Sequence, residues 1–263
     1  MATTTQHAPG TFCWVELAST DQTGAKAFYS GLFGWESADQ DLGGGESYTV
    51  FKLKGRDVGA LYTMGKEERS QGIPPHWNSY VAVESADQSA AKVKALGGTL
   101  LAEPFDVMDA GRMAIVQDPT GGTFCVWQPK THPGVGVRDE VGALCWNELM
   151  STDADQARTF YTGLFGWKTE LMPMGPGATY TLYKRGDTQA GGMAQITKEM
   201  GPIPSHWMVY FAVSDCDATV AKANSLGSRT IMPPTDIPNI GRFAILSDPG
   251  GAHFAVIKLN GVA

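Results

Sequence analysis

The chain repeats itself. Cys13-Trp14-Val15-Glu16-Leu17 returns further on as Cys145-Trp146-Asn147-Glu148-Leu149. At the same offset, Phe28-Tyr29-Ser30-Gly31-Leu32-Phe33-Gly34-Trp35 returns as Phe160-Tyr161-Thr162-Gly163-Leu164-Phe165-Gly166-Trp167. The offset then shortens by two, which matches Ile73-Pro74-Pro75-His76-Trp77 to Ile203-Pro204-Ser205-His206-Trp207. Gly111-Arg112 pairs with Gly241-Arg242, and Asp118-Pro119 with Asp248-Pro249. Matches that run in order along nearly the whole chain require each copy to adopt the same fold. The expected domains are residues 10–129 and 142–259. Residues 130–141, a stretch containing Pro and Gly, suit an exposed linker.

Each copy in turn holds two smaller modules. Trp14 to Ala18 alternates as a strand does, and Thr20 or Asp21 is placed to cap a helix. Ala25, Phe28, Tyr29 and Leu32 fall on one helical face, and Gly34 suits a left-handed cap. Strands are expected at Tyr48 to Leu53 and Val58 to Tyr62. The second module predicts a strand over Ser79 to Val83, a helix over Ser89 to Leu96 stopped by Gly97-Gly98, and strands near Thr99 to Leu101, Arg112 to Gln117 and Thr123 to Trp127. Phe28, Tyr29, Leu32 and Trp35 are assigned to the core. Gly43-Gly44-Gly45 reads as a hairpin loop; it lacks the strand-then-helix setting of a phosphate loop, so nucleotide binding is rejected.

Composition narrows the function classes. The 263 residues are 43% hydrophobic and 18% charged, ordinary for a packed protein. The formal charge of −7 argues against a nucleic-acid partner, which would need clustered Lys and Arg. No apolar run reaches the length of a membrane span, so no membrane association is expected. Met1 to Gly10 lacks the basic start and apolar core of a secretory leader, giving a cytoplasmic expectation. Cys13, Cys125, Cys145 and Cys216 are scattered without a CxxC pair. That suits buried reduced thiols, with zinc ligation the second reading.

The order strand-helix-strands, four times over, together with a Tyr-x-x-Leu-Phe-Gly-Trp helix end and an Asp-Pro-x-Gly hairpin, resembles the glyoxalase/bleomycin-resistance/dioxygenase (vicinal oxygen chelate) superfamily. The resemblance covers Thr11 to Leu259, and the tandem layout is similar to a family that includes a mycobacterial culture-filtrate antigen. It implies an α+β fold: two tandem glyoxalase-like domains, each of two βαβββ modules forming a curled mixed sheet with helices outside. Family enzymes hold one divalent metal on the concave face, whereas other members bind a drug there without metal or chemistry. The fold alone does not choose.

The ligand positions implied by the resemblance are informative. The family's first-strand His lies about seven residues before the Asp that opens the helix, a place held here by Trp14 and Trp146. The second-module equivalents are Asn78 and Met208. The family's carboxylate place, seven residues beyond the turn Asp, holds Cys125 and Ala255. Trp and Ala offer a metal no lone pair, and Met is a soft ligand for hard divalent ions. The usual site is therefore expected to be absent, with no cofactor. A displaced divalent-metal site is the alternative. His76, His206 and His253 sit two residues from the expected places, and His206 and His253 would join Glu148 in the second copy. Against it, His76 and His206 following Ile-Pro also suit local capping or packing.

Projected inward, the first copy presents Trp14, Glu16, Asn78, Tyr80, Cys125 and Trp127; the second presents Trp146, Glu148, Met208, Tyr210, Ala255 and Ile257. Aromatic walls with a few polar groups describe a small-molecule pocket, and equally a filled sheet face. Glu16 and Glu148 on such a face need a partner. Arg112 and Arg242 are the expected structural partners; the functional reading makes the glutamates general bases. Three readings follow. The first is a metal-free protein binding a hydrophobic or aromatic small molecule. The second is a glyoxalase-type lyase or dioxygenase with a displaced metal. The third is a structural or interaction protein, with homo-oligomer formation open.

Overall fold

The computed structural model describes residues 7–174 and 178–261, so the start of the segment read above for a leader, residues 1–6, lies outside the described residues. The first copy runs β1 (Phe12–Ser19), α1 (Gln22–Phe33), β2 (Glu36–Gly43), β3 (Glu46–Leu53) and β4 (Arg56–Thr63), then a short helix α2 (Lys66–Ser70). It continues through β5 (His76–Ala82), α3 (Ala86–Ala95), β6 (Thr99–Val107), β7 (Gly111–Gln117) and β8 (Thr123–Pro129). The second copy repeats the order as β9 (Leu144–Ser151), α4 (Ala154–Phe165), β10 (Lys168–Pro173), β11 (Thr179–Arg185) and β12 (Thr188–Gln195). A 3₁₀ turn at Lys198–Met200 leads to β13 (His206–Ala212), α5 (Cys216–Ser225), β14 (Arg229–Ile237), β15 (Gly241–Ser247) and β16 (His253–Leu259). Two eight-stranded mixed sheets result, ordered β2-β3-β4-β1-β5-β8-β7-β6 and β10-β11-β12-β9-β13-β16-β15-β14. The four modules read from the repeat, and the α+β architecture that the resemblance implies, are the ones found.

The punctuation residues act locally. Asp21 accepts the Gly24 amide at 2.9 Å, and Asp153 accepts the Gln156 amide at 3.0 Å. Gly34 (φ 72°) and Gly166 (φ 69°) take the left-handed conformation that ends α1 and α4. The helix expected from Ser89 starts earlier, because Ser85 caps the Gln88 amide at 3.2 Å. The sequence pattern does not reveal β2 or β10. Residues of β2 are exposed throughout, so no burial pattern marks them; the backbone ladder to β3 holds the strand.

By its contacts the chain divides into two compact units, each built from both copies. One holds Met1–Trp14, Ser79–Gly134 and Trp146–Met208; the other holds Val15–Asn78, Val135–Cys145 and Val209–Ala263. Within the first unit, Phe160, Tyr161 and Leu164 of α4 pack with Phe124 and Val126 of β8. The Tyr161 hydroxyl donates to Asp118 Oδ2 at 2.7 Å and accepts from Trp207 Nε1 at 2.8 Å. The second unit repeats this: Tyr29 donates to Asp248 Oδ2 at 3.0 Å and accepts from Trp77 Nε1 at 2.9 Å. The Asp of one copy's Asp-Pro turn thus anchors the other copy's helix. Its second oxygen holds the turn, accepting Gly122 N at 3.0 Å or Ala252 N at 2.8 Å. Burial, reinforced by the adjacent carboxylate, pushes both phenols well above 10 and keeps them neutral donors.

Candidate functional site

The alternation of the strands separates two faces. Val15 and Leu17 belong to one unit's core and Leu149 to the other's. Trp14, Glu16, Trp146 and Glu148, one residue out of phase, belong to neither core. Tyr80, Cys125, Trp127, Met208, Tyr210, Ala255 and Ile257 are likewise buried yet outside both cores. Cross-strand pairing aligns Tyr80 with Cys125 and Tyr210 with Ala255.

A polar cluster lies in the second copy's first module. Trp146 Nε1 donates to the Tyr180 hydroxyl at 2.9 Å, and that hydroxyl is also hydrogen-bonded to Glu148. Burial, followed by the Glu148 charge, holds the phenol well above 10. At neutral pH it is therefore protonated, accepting from the indole and donating to the carboxylate. The Gly192 position admits the ring: a Cβ there would overlap the Tyr180 hydroxyl. Gly192 sits beside Glu148 in the parallel β12–β9 pair. The first copy has Ala60 beside Glu16 instead. Sequence reasoning misses Tyr180; its only signal is a Gly inside a strand, which marks a close approach.

In the first copy, rings gather around His132. Trp14 meets His132 edge-on, with centroids 4.4 Å apart; Trp127 lies 6.0 Å from His132 and 6.3 Å from Tyr80. Trp127 Nε1 donates to the His132 carbonyl at 2.9 Å. His132 comes from the stretch read as linker, and no local pattern marks such a long-range contact. Elsewhere, Asn78 is half-buried, and Tyr210 lies 6.2 Å from Phe243.

Several expectations are corrected. Arg112 and Arg242 do not serve the glutamates: Arg112 grips Asp87 with Nε and Nη2 at 2.8 and 2.9 Å, and Arg242 grips Asp217 at 2.7 and 3.0 Å. Both arginines turn to the first turn of a neighbouring helix, because pairing with a near, exposed carboxylate spares the desolvation that a buried pair costs. His76 and His206 open β5 and β13 with Nδ1 bonded to the Pro74 and Pro204 carbonyls at 2.8 Å. His253 is exposed. Among the described residues no group of three or more His, Cys, Asp or Glu could hold a metal ion, and Glu148, His206 and His253 are no exception. All four cysteines are buried and outside any disulfide, as buried reduced thiols would be.

Two family models match the chain. Residues 144–256 match the glyoxalase/bleomycin resistance protein/dioxygenase superfamily, and residues 14–127 match a glyoxalase-like domain. The chain belongs to this superfamily. CFP32 of Mycobacterium tuberculosis, whose name suggests a glyoxylase, is 43% identical over 254 residues, 96% of each chain. The anthracycline biosynthesis protein DnrV of Streptomyces peucetius is 36% identical, covering 97% of this chain and 96% of its own. A Mn(II)-bound glyoxalase from Novosphingobium aromaticivorans shares the fold with TM-score 0.65 at 17% identity, over 97% of this chain and 84% of that one. The 2,3-dioxygenase LapB from Pseudomonas sp. KL28 does so with TM-score 0.64 at 13% identity, over 97% and 93%.

Within this superfamily the resemblance implies a metal held at the places of Trp14, Asn78 and Cys125, or of Trp146, Met208 and Ala255. The donor sets do not fit. Indole has no lone pair to give, alanine has no donor atom, and the remaining amide, thiol and thioether do not make a hard oxygen-and-imidazole site. No helix among the described residues is long and apolar enough to cross a membrane.

Proposed function

We propose that this superfamily member binds a small aromatic or hydrophobic molecule against its inward strand faces, with Trp146, Tyr180 and Glu148 as the main contacts of the second copy. The carrying observation is the Trp146–Tyr180–Glu148 hydrogen-bonded chain beside Gly192. Aromatic side chains supply large contact area at small entropic cost, and a carboxylate already oriented by a phenol can take a ligand hydroxyl without reorganising. Met208 extends the second copy's contacts. Trp14, Tyr80, Cys125 and Trp127 are the corresponding walls of the first. The relative named for anthracycline biosynthesis, similar over nearly its whole length, supports an aromatic ligand.

A second reading is catalysis of the lyase kind, with Glu148 or Glu16 as general base. It is favoured by a carboxylate at the same strand position in both copies and by the relative whose name suggests a glyoxylase. Titration of the purified chain with an anthracycline, followed by tryptophan fluorescence, tests the first reading. Saturable quenching that Tyr180→Phe and Glu148→Gln each weaken is the expected result. Unsaturable quenching, or quenching by both variants equal to that of the wild-type chain, would overturn it. Turnover of a thiol–oxoaldehyde adduct that Glu148→Gln abolishes would favour the second.

A further inference from the structure

The two copies differ at one place on the helix side of their first modules. In the first copy Asp39 of β2 accepts Lys26 Nζ at 2.6 and 2.8 Å and the Thr49 hydroxyl at 2.6 Å. Gln22 Nε2 in turn donates to Thr49 Oγ1 at 3.0 Å. These donors hold the Asp39 carboxyl below its ordinary range, the Lys26 hydrogen bond first among them. At the equivalent places of the second copy, Lys26 becomes Arg158, Thr49 becomes Thr181, Gln22 becomes Ala154 and Asp39 becomes Leu171. Leu171 stands opposite Thr181 just as Asp39 stands opposite Thr49. The cation and the hydroxyl are kept, and the carboxylate is gone.

The donors are left without the acceptor they have in the first copy. Arg158 Nε is buried and has no hydrogen-bond partner. Thr181 is 3% exposed, and it lines the same hollow as Arg158. Asp155, 89% exposed, reaches only Arg158 Nη2. Between them lies a hollow of about 350 Å³, lined also by Thr179, Leu171 and Gln195. A buried guanidinium N–H without an acceptor is costly, and an anion that accepts from it, with the Thr181 hydroxyl as a second donor, recovers that cost.

We propose that this hollow, separate from the inward faces, binds a small organic carboxylate that supplies the oxygens Asp39 supplies in the first copy. Leu171 lies against the ligand's carbon portion. Asp155 lines the hollow as well and is paired with Arg158, so the ligand meets a neutralised cation, and a monocarboxylate leaves less charge uncompensated there than a phosphate dianion does.

The test is a titration of the ¹⁵N-labelled full chain with sodium acetate, against sodium chloride at matched ionic strength. The expected result is a saturable shift of the Arg158 Nε–H signal with acetate and none with chloride. Leu171→Asp places the missing carboxylate within the chain, as the first copy already does, and should fold while losing the response. Arg158→Gln should weaken acetate binding by roughly tenfold or more. The reciprocal Asp39→Leu should create an acetate response near Lys26. A wild-type chain that shows no saturable shift overturns the proposal. So does a response surviving Leu171→Asp, and a stronger response to phosphate overturns the carboxylate assignment.

Discussion

The helix-side cores of the two units and the inward strand faces of the two copies have diverged to different extents. On the helix side, the Tyr29–Trp77–Asp248 and Tyr161–Trp207–Asp118 networks agree in residue type and nearly in length. Their hydrogen bonds measure 3.0 and 2.9 Å in the one and 2.7 and 2.8 Å in the other. On the inward side, Ala60 stands where Gly192 does, Asn78 where Met208 does, Cys125 where Ala255 does, and Trp127 where Ile257 does. The buried networks have a fixed set of donors and acceptors, so any single change leaves one unmet. The inward faces must only be filled, and that tolerates exchange. The lesson is that the repeat reports packing, while function is to be sought where the copies disagree.

The largest expected effect probes the shared side. Tyr161→Phe and Tyr29→Phe each strip an acceptor from a buried indole and a donor from a buried carboxylate. Each should cost about 1–3 kcal/mol in urea unfolding. The two losses should be alike and, because the networks share no residue, additive in the double variant. Clearly unequal losses would break the equivalence of the units.

Gly192→Ala probes the divergent side. The added methyl overlaps the Tyr180 hydroxyl, so the Trp146–Tyr180–Glu148 chain should open and anthracycline quenching should fall, with the circular-dichroism spectrum unchanged. Ala60→Gly sharpens this: a gain of quenching in the first copy would show that the glycine alone separates the two faces. Unaltered quenching in Gly192→Ala would remove Tyr180 from the site.

A smaller effect concerns Cys145, whose thiol burial pushes up to about 12. The unfolded thiol ionises near 8.5, so between those values the native state binds more protons than the unfolded state. Stability linked to this group should therefore fall as pH rises through that window. At pH 9, iodoacetamide should label Cys145 slowly in the native chain and quickly in urea. Fast native labelling would contradict the burial that holds the thiol. The smallest effect belongs to Asp87→Asn and Asp217→Asn, which remove exposed partners of Arg112 and Arg242. Melting temperature should barely move in either, and any change should vanish in high salt.

Much of this was legible in the chain itself. The constant offset that carries Trp14 to Trp146 and Trp35 to Trp167 determined that one fold is used twice. The apolar stripe of Phe28, Tyr29 and Leu32 determined which helical face is buried, and Gly34 where that helix ends, while its start lay open between Thr20 and Asp21 until the structure chose Asp21. Strand alternation set Trp14 and Glu16 apart from Val15 and Leu17. These are local properties, carried by residues within a turn or a strand of one another. Tertiary structure alone decided the rest: that each unit mixes both copies, that Tyr29 answers to Asp248 from the far end of the chain, that Arg112 turns to Asp87, and that Tyr180 reaches Glu148 over Gly192. Such pairings depend on which backbones approach closely enough for a hydrogen bond, and that distance is settled by packing between segments far apart in the chain.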